Sequence, residues 1–450
     1  MKPKLILVNP WVYDFAAYDL WSKPLGLLYL AGYLRACGFD IRLIDCLDIH
    51  NPGMKSDTAA RAPQRRLYGT GKFYRQEVPT PAALSHVPRP YARYGITPEL
   101  FERELAQVSR PSAVLVTSLM TYWYDGVRAA IELIRKVHPG VPVFLGGSYA
   151  RLCESHAEKT CGADRVLTGN GPAALLDAFD DLGIGVPSRP PPAPFEPYPA
   201  FDLLSGLDYV CVLTSVGCPY HCQYCASGFL NPRFIRRPAR EAVKEILFWH
   251  RRFGVRDIAF YDDALLAGSA DHAVPLLEAL EGRGSNLRFH TPNALHVKEV
   301  TGKIARLLHR AGFRTIRLGL ETADAGPHRA LDDKVSPGDF QRAVGHLHDA
   351  GYDSAEIGAY VLVGLPGQPV DSVLETLNFV EKVGAVPYLS EYSPIPHTVL
   401  WDEAVRCSRY DLVSEPLFHN NTLLPCWDEA RARQMPLLKQ RVREIRQKFR

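Results

Sequence analysis

Cys218, Cys222 and Cys225 fall within eight residues, in the run Cys218-Pro219-Tyr220-His221-Cys222-Gln223-Tyr224-Cys225. The other seven cysteines (Cys37, Cys46, Cys153, Cys161, Cys211, Cys407 and Cys426) are scattered. Three thiolates on a tight loop can hold three irons of a cubane 4Fe-4S cluster and leave the fourth iron open to an exogenous chelator. No fourth cysteine stands at a local spacing that would close the set. Two other chemistries use parts of the same run. A Cys3His zinc site would recruit His221, but His221 and Cys222 are adjacent and converge poorly on one tetrahedral ion. A redox disulfide between Cys222 and Cys225 has the CxxC spacing, yet lacks the helix-start context that lowers a thiol pKa. The spacing points first to the cluster, and the seven remaining cysteines read as reduced packing residues.

The elements around this run are legible from hydrophobic period. Before it, short apolar runs at Leu5 to Val8, Ile41 to Asp45, Ala113 to Ser118, Val143 to Gly147 and Arg165 to Thr168 read as strands. Helical spacing covers Pro24 to Ala36, stopping at Gly38, and Gly126 to Val137. Strands separated by helices imply an α/β unit, a doubly wound, Rossmann-like parallel sheet over residues 1–185. The proline-rich stretch at 186–200 breaks every periodicity and reads as a semi-rigid linker. Beyond it, strands near Tyr209–Ser215, Asp257–Asp262, Arg288–Asn293, Thr315–Glu321, Glu356–Val363 and Tyr388–Tyr392 alternate with helices such as Ala239 to Phe253 and Val300 to Ala311. Six such units are fewer than the eight of a closed barrel, so residues 201–400 are expected to form an open (β/α)6 partial TIM barrel with its chemistry at the strand C-terminal ends.

CxxxCxxC with an aromatic at Tyr224, directly after the first strand of such a barrel, resembles the radical S-adenosylmethionine (SAM) superfamily. Asp262-Asp263 in IAFYDDALL ends the second strand, and Thr291-Pro292-Asn293, Ile316 to Thr322 (IRLGLET), Leu362 to Gly367 (LVGLPG) and Ser393 to Thr398 (SPIPHT) resemble the later strand ends of that family. His397 stands where a glycine is more usual. The resemblance spans Asp202 to about Leu400. It implies that Cys218, Cys222 and Cys225 hold the cluster and that Tyr224, Asp262, Asp263, Asn293, Arg317, Glu321 and Gly364 surround SAM. Physical chemistry gives those residues suitable work. SAM is a zwitterion with a sulfonium, an adenine and a ribose. It needs a carboxylate for its ammonium, donors for its carboxylate and close backbone approach for its base. Each residue alone also has a structural reading, for instance an ion pair of Arg317 with Glu321.

A doubly wound unit ahead of such a barrel resembles the cobalamin-binding group of the superfamily. PLGLLYLAGYLRACGFDIRLID, VPVFLGGSYA and ADRVLTGNGP carry that likeness. It implies that bound cobalamin lies at the strand C-terminal edge, against Ser118 to Tyr124 and Gly146-Gly147. The loop after the first strand, Asn9 to Asp14, contains no histidine to ligate cobalt. A literal DxHxxG occurs at Asp48 to Gly53 with His50, but it follows the second strand, outside its structural context. A domain that has lost the cofactor, or that holds substrate, stays open. Tyr122-Trp123-Tyr124 fits a corrin cap or core packing equally.

Charge argues locally. The net charge of +3 is too small for a global nucleic-acid partner. Two segments are basic: an insertion at 51–95, with eight Lys or Arg among Tyr68, Phe73, Tyr74, Tyr91 and Tyr94, and the end of the extension at 401–450. The insertion reads first as a surface loop packed by its own aromatics, with a lid over an anionic ligand or a nucleic-acid contact as the alternative, and Lys439 to Arg450 as a docked helix with Leu438, Val442, Ile445 and Phe449 inward ahead of a nucleic-acid or redox-partner patch. No run approaches the ~20 apolar residues of a membrane span, and the start is too short for a secretory signal, so the cytoplasm is expected. The expected function is reductive cleavage of SAM at a three-cysteine 4Fe-4S cluster, fed by a flavodoxin or ferredoxin. By resemblance, cobalamin-dependent methyl transfer to an unactivated carbon follows. The alternative is a cobalamin-independent rearrangement, cyclisation or sulfur insertion, with the first domain binding substrate. A metal-stabilised nucleic-acid binder has no use for Asp262, Asp263 and Asn293.

Overall fold

The computed structural model describes residues 2–56, 62–169, 171–282, 286–324 and 335–449. It divides into two compact units at the Asp208–Tyr209 junction. Asp57 of the insertion, Asn170 of the ADRVLTGNGP run and Arg450 lie outside the described residues. Among the described residues no helix is long and apolar enough to cross a membrane.

In the first unit, β1 (Lys4–Asn9), β2 (Asp40–Asp45), β3 (Ala113–Val116), β4 (Val143–Leu145) and β5 (Arg165–Val166) form one parallel sheet in the order β5-β4-β3-β1-β2. Leu5 to Val8 and Ala113 to Val116 are all buried. A parallel strand covered on both faces needs such an unbroken apolar run. The order reverses between β1 and β3, so the chain leaves those two strands toward opposite faces and opens a crevice at their C-terminal ends. Gly147, with φ of +98, follows β4 there. A Cβ on it would stand 2.2 Å from the Ser118 carbonyl oxygen, so the missing side chain admits the chain's own backbone.

Two segments behave differently from expectation. The proline stretch at 186–200 lies along the helix Leu25–Ala36 of its own unit: Ser188 N–H donates to Cys37 O at 2.9 Å, Tyr33 Oη to Pro190 O at 2.8 Å and Ala200 N–H to Leu28 O at 2.9 Å. An extended proline-rich chain makes few internal hydrogen bonds, here Glu196 N–H to Ala193 O at 3.3 Å, so its other polar groups pair with what it lies against. The insertion is more than a loop. Gly71–Lys72 pairs antiparallel with Tyr18–Asp19, and Arg75–Glu77 and Ala92–Tyr94 build a three-stranded sheet on Val12–Asp14. Phe73, Tyr74, Tyr91 and Tyr94 are buried, as its aromatic composition implies. Two of its described cations find partners within the unit: Arg65 pairs with Asp19 at 2.7 Å, and Arg93 lies over Trp11 at 5.8 Å.

In the second unit, β6 (Tyr209–Val212), β7 (Asp257–Phe260), β8 (Arg288–His290), β9 (Phe313–Glu321), β10 (Ile357–Val363) and β11 (Val386–Glu391) pair in chain order, all parallel. The described pairings run from β6 to β11 without closing the ring, which is the open six-stranded barrel the periodicity implied. The basic C-terminal helix Met435–Lys448 buries Leu438, Val442 and Ile445. Lys439 reaches Glu391 at 3.0 Å, and Lys448 reaches Glu381 at 3.0 Å, with Arg441 beside it, so these cations serve docking.

Asp262 departs from the SAM-contact expectation. It is 2% exposed, and its carboxylate accepts from Thr214 N–H at 3.0 Å, Thr214 Oγ1 at 2.7 Å and Ser215 Oγ at 2.6 Å. It is a clasp between the exits of β6 and β7, with its acceptors filled by the chain itself. Burial pushes its carboxyl up to about 6, against the pull of those donors.

Two outcomes follow from these contacts. Gly147→Ala is expected to destabilise the first unit by more than about 1 kcal/mol, and an unchanged denaturant midpoint would contradict the tight approach of Ser118. For Asp262 the folded pKa of about 6 lies above the ordinary 3.8. The folded state therefore binds the proton more tightly, and this contribution to stability is complete below about pH 4 and lost as pH rises through about 6. Calorimetry of Asp262→Asn between those limits should show a flatter pH dependence of the second unit's unfolding than wild type; parallel curves would refute the assignment.

Candidate active site: the cysteine loop and the strand ends

After β6 the chain forms a two-residue strand, Ser215–Val216, paired antiparallel with Ile235–Arg236. The cysteine loop is thus an excursion whose two ends are hydrogen-bonded together. Within it Cys225 N–H donates to Cys222 O at 3.0 Å, and Ser227 N–H donates to Cys225 Sγ at 3.4 Å. Burial pushes the Cys225 thiol up to about 11, with smaller upward contributions from Cys222, Asp263 and Cys218. His221 is exposed. Among the described residues no three His, Cys, Asp or Glu side chains close on a single ion's position. A single zinc ion needs every donor at about 2.0–2.3 Å from one point, whereas a cubane takes each thiolate on a separate iron. Three soft donors spread along one loop fit the cluster.

The loop is braced from several sides. Tyr224 packs on a wall that includes Leu362, Leu365, Tyr392 and Leu400. Tyr220 stacks on His296 with centroids 4.2 Å apart and reaches Glu299 with its hydroxyl at 3.3 Å. Leu400 N–H donates to Gln223 O at 3.0 Å. Asp263, exposed where Asp262 is buried, accepts from Ser227 Oγ at 2.6 Å. Asn293, also exposed, donates through Nδ2 to Tyr261 O at 2.9 Å at the end of β7. The structure therefore ties Asp263 to the cysteine loop through Ser227, and Asn293 to the end of β7.

Arg317, Gly319 and Glu321 alternate along β9 and share a face, while Ile316, Leu318 and Leu320 are buried on the other. Arg317 donates to Tyr388 Oη at 3.1 Å and to Ile316 O at 3.0 Å, with its guanidinium 4.3 Å from the Tyr388 ring centre; Arg446 lies over the same ring at 4.3 Å. Glu321 ends the strand with φ of +65, beside a break in the pairing register with β10. That conformation is strained for a non-glycine residue, and such strain concentrates at functional sites. Gly364, with φ of +94, turns after β10 with its N–H on Gln368 Oε1 at 2.9 Å. A Cβ there would come within 3.0 Å of Leu424, so a tail residue occupies the space the glycine leaves. Ser227, Tyr388 and His296 carry no sequence signal of their own; each matters through a partner on another element.

In the first unit, Ser118 Oγ donates to Gly146 O at 2.7 Å and accepts from Ala150 N–H at 3.2 Å, so its hydroxyl ties β3 to β4. Next to it Leu119 and Met120 are 57% and 43% exposed, at the C-terminal edge of the sheet. The DxHxxG run at Asp48 to Gly53 is a turn and helix start: Asp48 accepts from His50 N–H at 2.8 Å and Asn51 from Gly53 N–H at 2.9 Å. The His50 ring pairs with Asp208 at 3.2 Å. Tyr122 and Tyr124 are buried and the Trp123 indole donates to Asp14 at 2.8 Å, which favours core packing for that triplet.

Residues 212–380 match the profile of the radical SAM superfamily. An uncharacterized methyltransferase of Pyrococcus horikoshii is 22% identical over 69% of this chain and 74% of its own length. Cytidylyl-2-hydroxyethylphosphonate methyltransferase of Streptomyces wedmorensis is 20% identical over 90% of this chain and 82% of its own. Among solved structures, the radical SAM methyltransferase TsrM from Kitasatospora setae, with cobalamin and a [4Fe-4S] cluster bound, superposes with a TM-score of 0.64 at 18% identity, over 90% of this chain and 75% of that one. The likeness to TsrM runs through the α/β architecture of both units, and the matched profile contains the whole cysteine loop. Residues 212–380 thus form a radical SAM domain, a domain type whose chemistry uses a 4Fe-4S cluster and SAM.

Proposed function

We propose that this enzyme is a cobalamin-dependent radical SAM methyltransferase acting on an unactivated carbon. The observation that carries the proposal is the doubly wound parallel sheet ahead of the barrel, whose C-terminal edge exposes Leu119 and Met120 beside the crevice between β1 and β3. Exposed apolar side chains at such a crevice suit the face of a large planar ring, and ligands of open α/β sheets bind there. The methyltransferase names of two relatives agree with it. When bound, the cluster and SAM supply the electron and the carbon–sulfur cleavage that yields a 5′-deoxyadenosyl radical, and cobalamin supplies methyl-group carriage.

In this reading Cys218, Cys222 and Cys225 hold the cluster. Asp263 and Asn293, beside the loop, and Arg317 and Glu321, on the inward face of β9, face the polar ends of SAM. Tyr224 lines its adenine side, and Gly364 shapes the turn beneath. Asp262 acts at one remove, by fixing the strand exits from which Asp263 and the loop project. Leu119, Met120 and the Gly146 turn lie against the corrin, and no histidine of the β1 loop ligates cobalt. The protein's share of the chemistry is to hold these groups and keep water from the radical. The reductant is of flavodoxin or ferredoxin type. None of the ten cysteines is in a disulfide, which suits a cytoplasmic enzyme.

Anaerobic reconstitution of wild type and Cys222→Ala should give loss of bound iron and sulfide and no SAM cleavage in the variant. Equal iron and equal cleavage in both would end the cluster assignment. Incubation of the full chain with hydroxocobalamin, followed by desalting, should leave a corrin absorption band with the protein. Its absence would favour a cobalamin-independent enzyme whose first unit binds substrate.

A further inference from the structure

His397, after the sixth barrel strand, has no part in the reading above. Its φ is +66, a left-handed conformation for a non-glycine side chain. Such strain persists only where the surroundings hold the residue in place. Here the surroundings are aromatic. The His397 ring lies flat on Phe229, with centroids 4.1 Å apart and planes 5° from parallel. Phe229 is 42% exposed and belongs to the helix Ser227–Leu230, by which the chain leaves the cysteine loop. The first residue of that helix, Ser227, donates its N–H to Cys225 Sγ at 3.4 Å and its hydroxyl to Asp263 at 2.6 Å. On the other side of His397, Leu400 N–H donates to Gln223 O inside the loop at 3.0 Å. A short chain of contacts thus runs from the His397 ring through Phe229 and Ser227 to one cysteine sulfur.

We infer that His397 is a positioning residue for the cysteine loop: by stacking on Phe229 it fixes the helix whose Ser227 N–H bonds the Cys225 sulfur. The inference rests on the reading of these cysteines as cluster ligands. Hydrogen bonds to cluster sulfurs tune the reduction potential, because they stabilise the more negative reduced state. His397→Gly relaxes the backbone and removes the ring. His397→Asn tolerates the left-handed backbone without a ring, and His397→Phe keeps one.

Two measurements on the full chain test the role: the midpoint potential of the anaerobically reconstituted cluster by EPR redox titration, and the rate at which iodoacetamide alkylates Cys225 in the apo-protein, followed by peptide mass spectrometry. The Gly and Asn variants should both show a lower midpoint potential and faster Cys225 alkylation than wild type, and the Phe variant should recover both. Wild-type potential and wild-type alkylation rate in the Gly variant would overturn the inference. A wild-type protein that takes up no iron would instead remove the cluster reading, and the alkylation arm would still decide whether His397 braces the loop. Far-ultraviolet circular dichroism separates a loosened loop from an unfolded chain, and the strain-free Gly variant carries the test if the Asn variant does not fold.

Discussion

One buried carboxylate sets the geometry of the second unit. Asp262 accepts three hydrogen bonds from Thr214 and Ser215, and so fixes where the first barrel strand ends and in which direction the chain departs. Hydrogen bonds to a charged group contribute about 1.5–3 kcal/mol each, and a buried carboxylate without them would carry an uncompensated desolvation penalty. Ser215 then begins the short paired strand from which the cysteine loop springs. Cys218 stands three residues beyond this clasp.

The loop itself has almost no regular structure, so its order comes from outside. Tyr220 leans on His296, Tyr224 on the wall built by β10 and the tail, Gln223 on Leu400, and Ser227 on Asp263. The braces arrive from the β7 and β8 exits, from β10 and from the tail, with Leu400 serving both Tyr224 and Gln223. Rigid strands deliver the partners while an irregular loop carries the donors, the usual division between scaffold and site in this kind of barrel. Tyr388, between Arg317 and Arg446, shows the same logic on the far strands, since the C-terminal helix supplies one of its two cations.

Much of the fold could be read from the chain because parallel strands covered on both faces must be continuous apolar runs, and amphipathic helices must alternate with them. The strand series of both units, the helices Leu25–Ala36 and Ala239–Phe253, and the docked C-terminal helix follow from period alone. The proline strap and the sheets of the insertion do not, because their hydrogen bonds go to residues far away in sequence. At the site, Asp262 and Asp263 look equivalent in the chain. Consecutive residues at a strand end point to opposite sides, so one became a buried clasp and the other faces the cysteine loop.

By itself, then, the sequence determined the identity and spacing of the three thiols, the strand ends near which polar residues gather and the existence of two parallel α/β units, all properties of local composition and period. The tertiary structure decided which of those polar residues reach the loop and which are filled by the chain's own donors, as Asp262 and Ser118 are. It also decided that a histidine in a left-handed turn, 172 positions after Cys225, lies against the helix that holds that cysteine. The physical reason is that side-chain direction and hydrogen-bond partnership depend on neighbours brought together by strand pairing, and no local pattern encodes them.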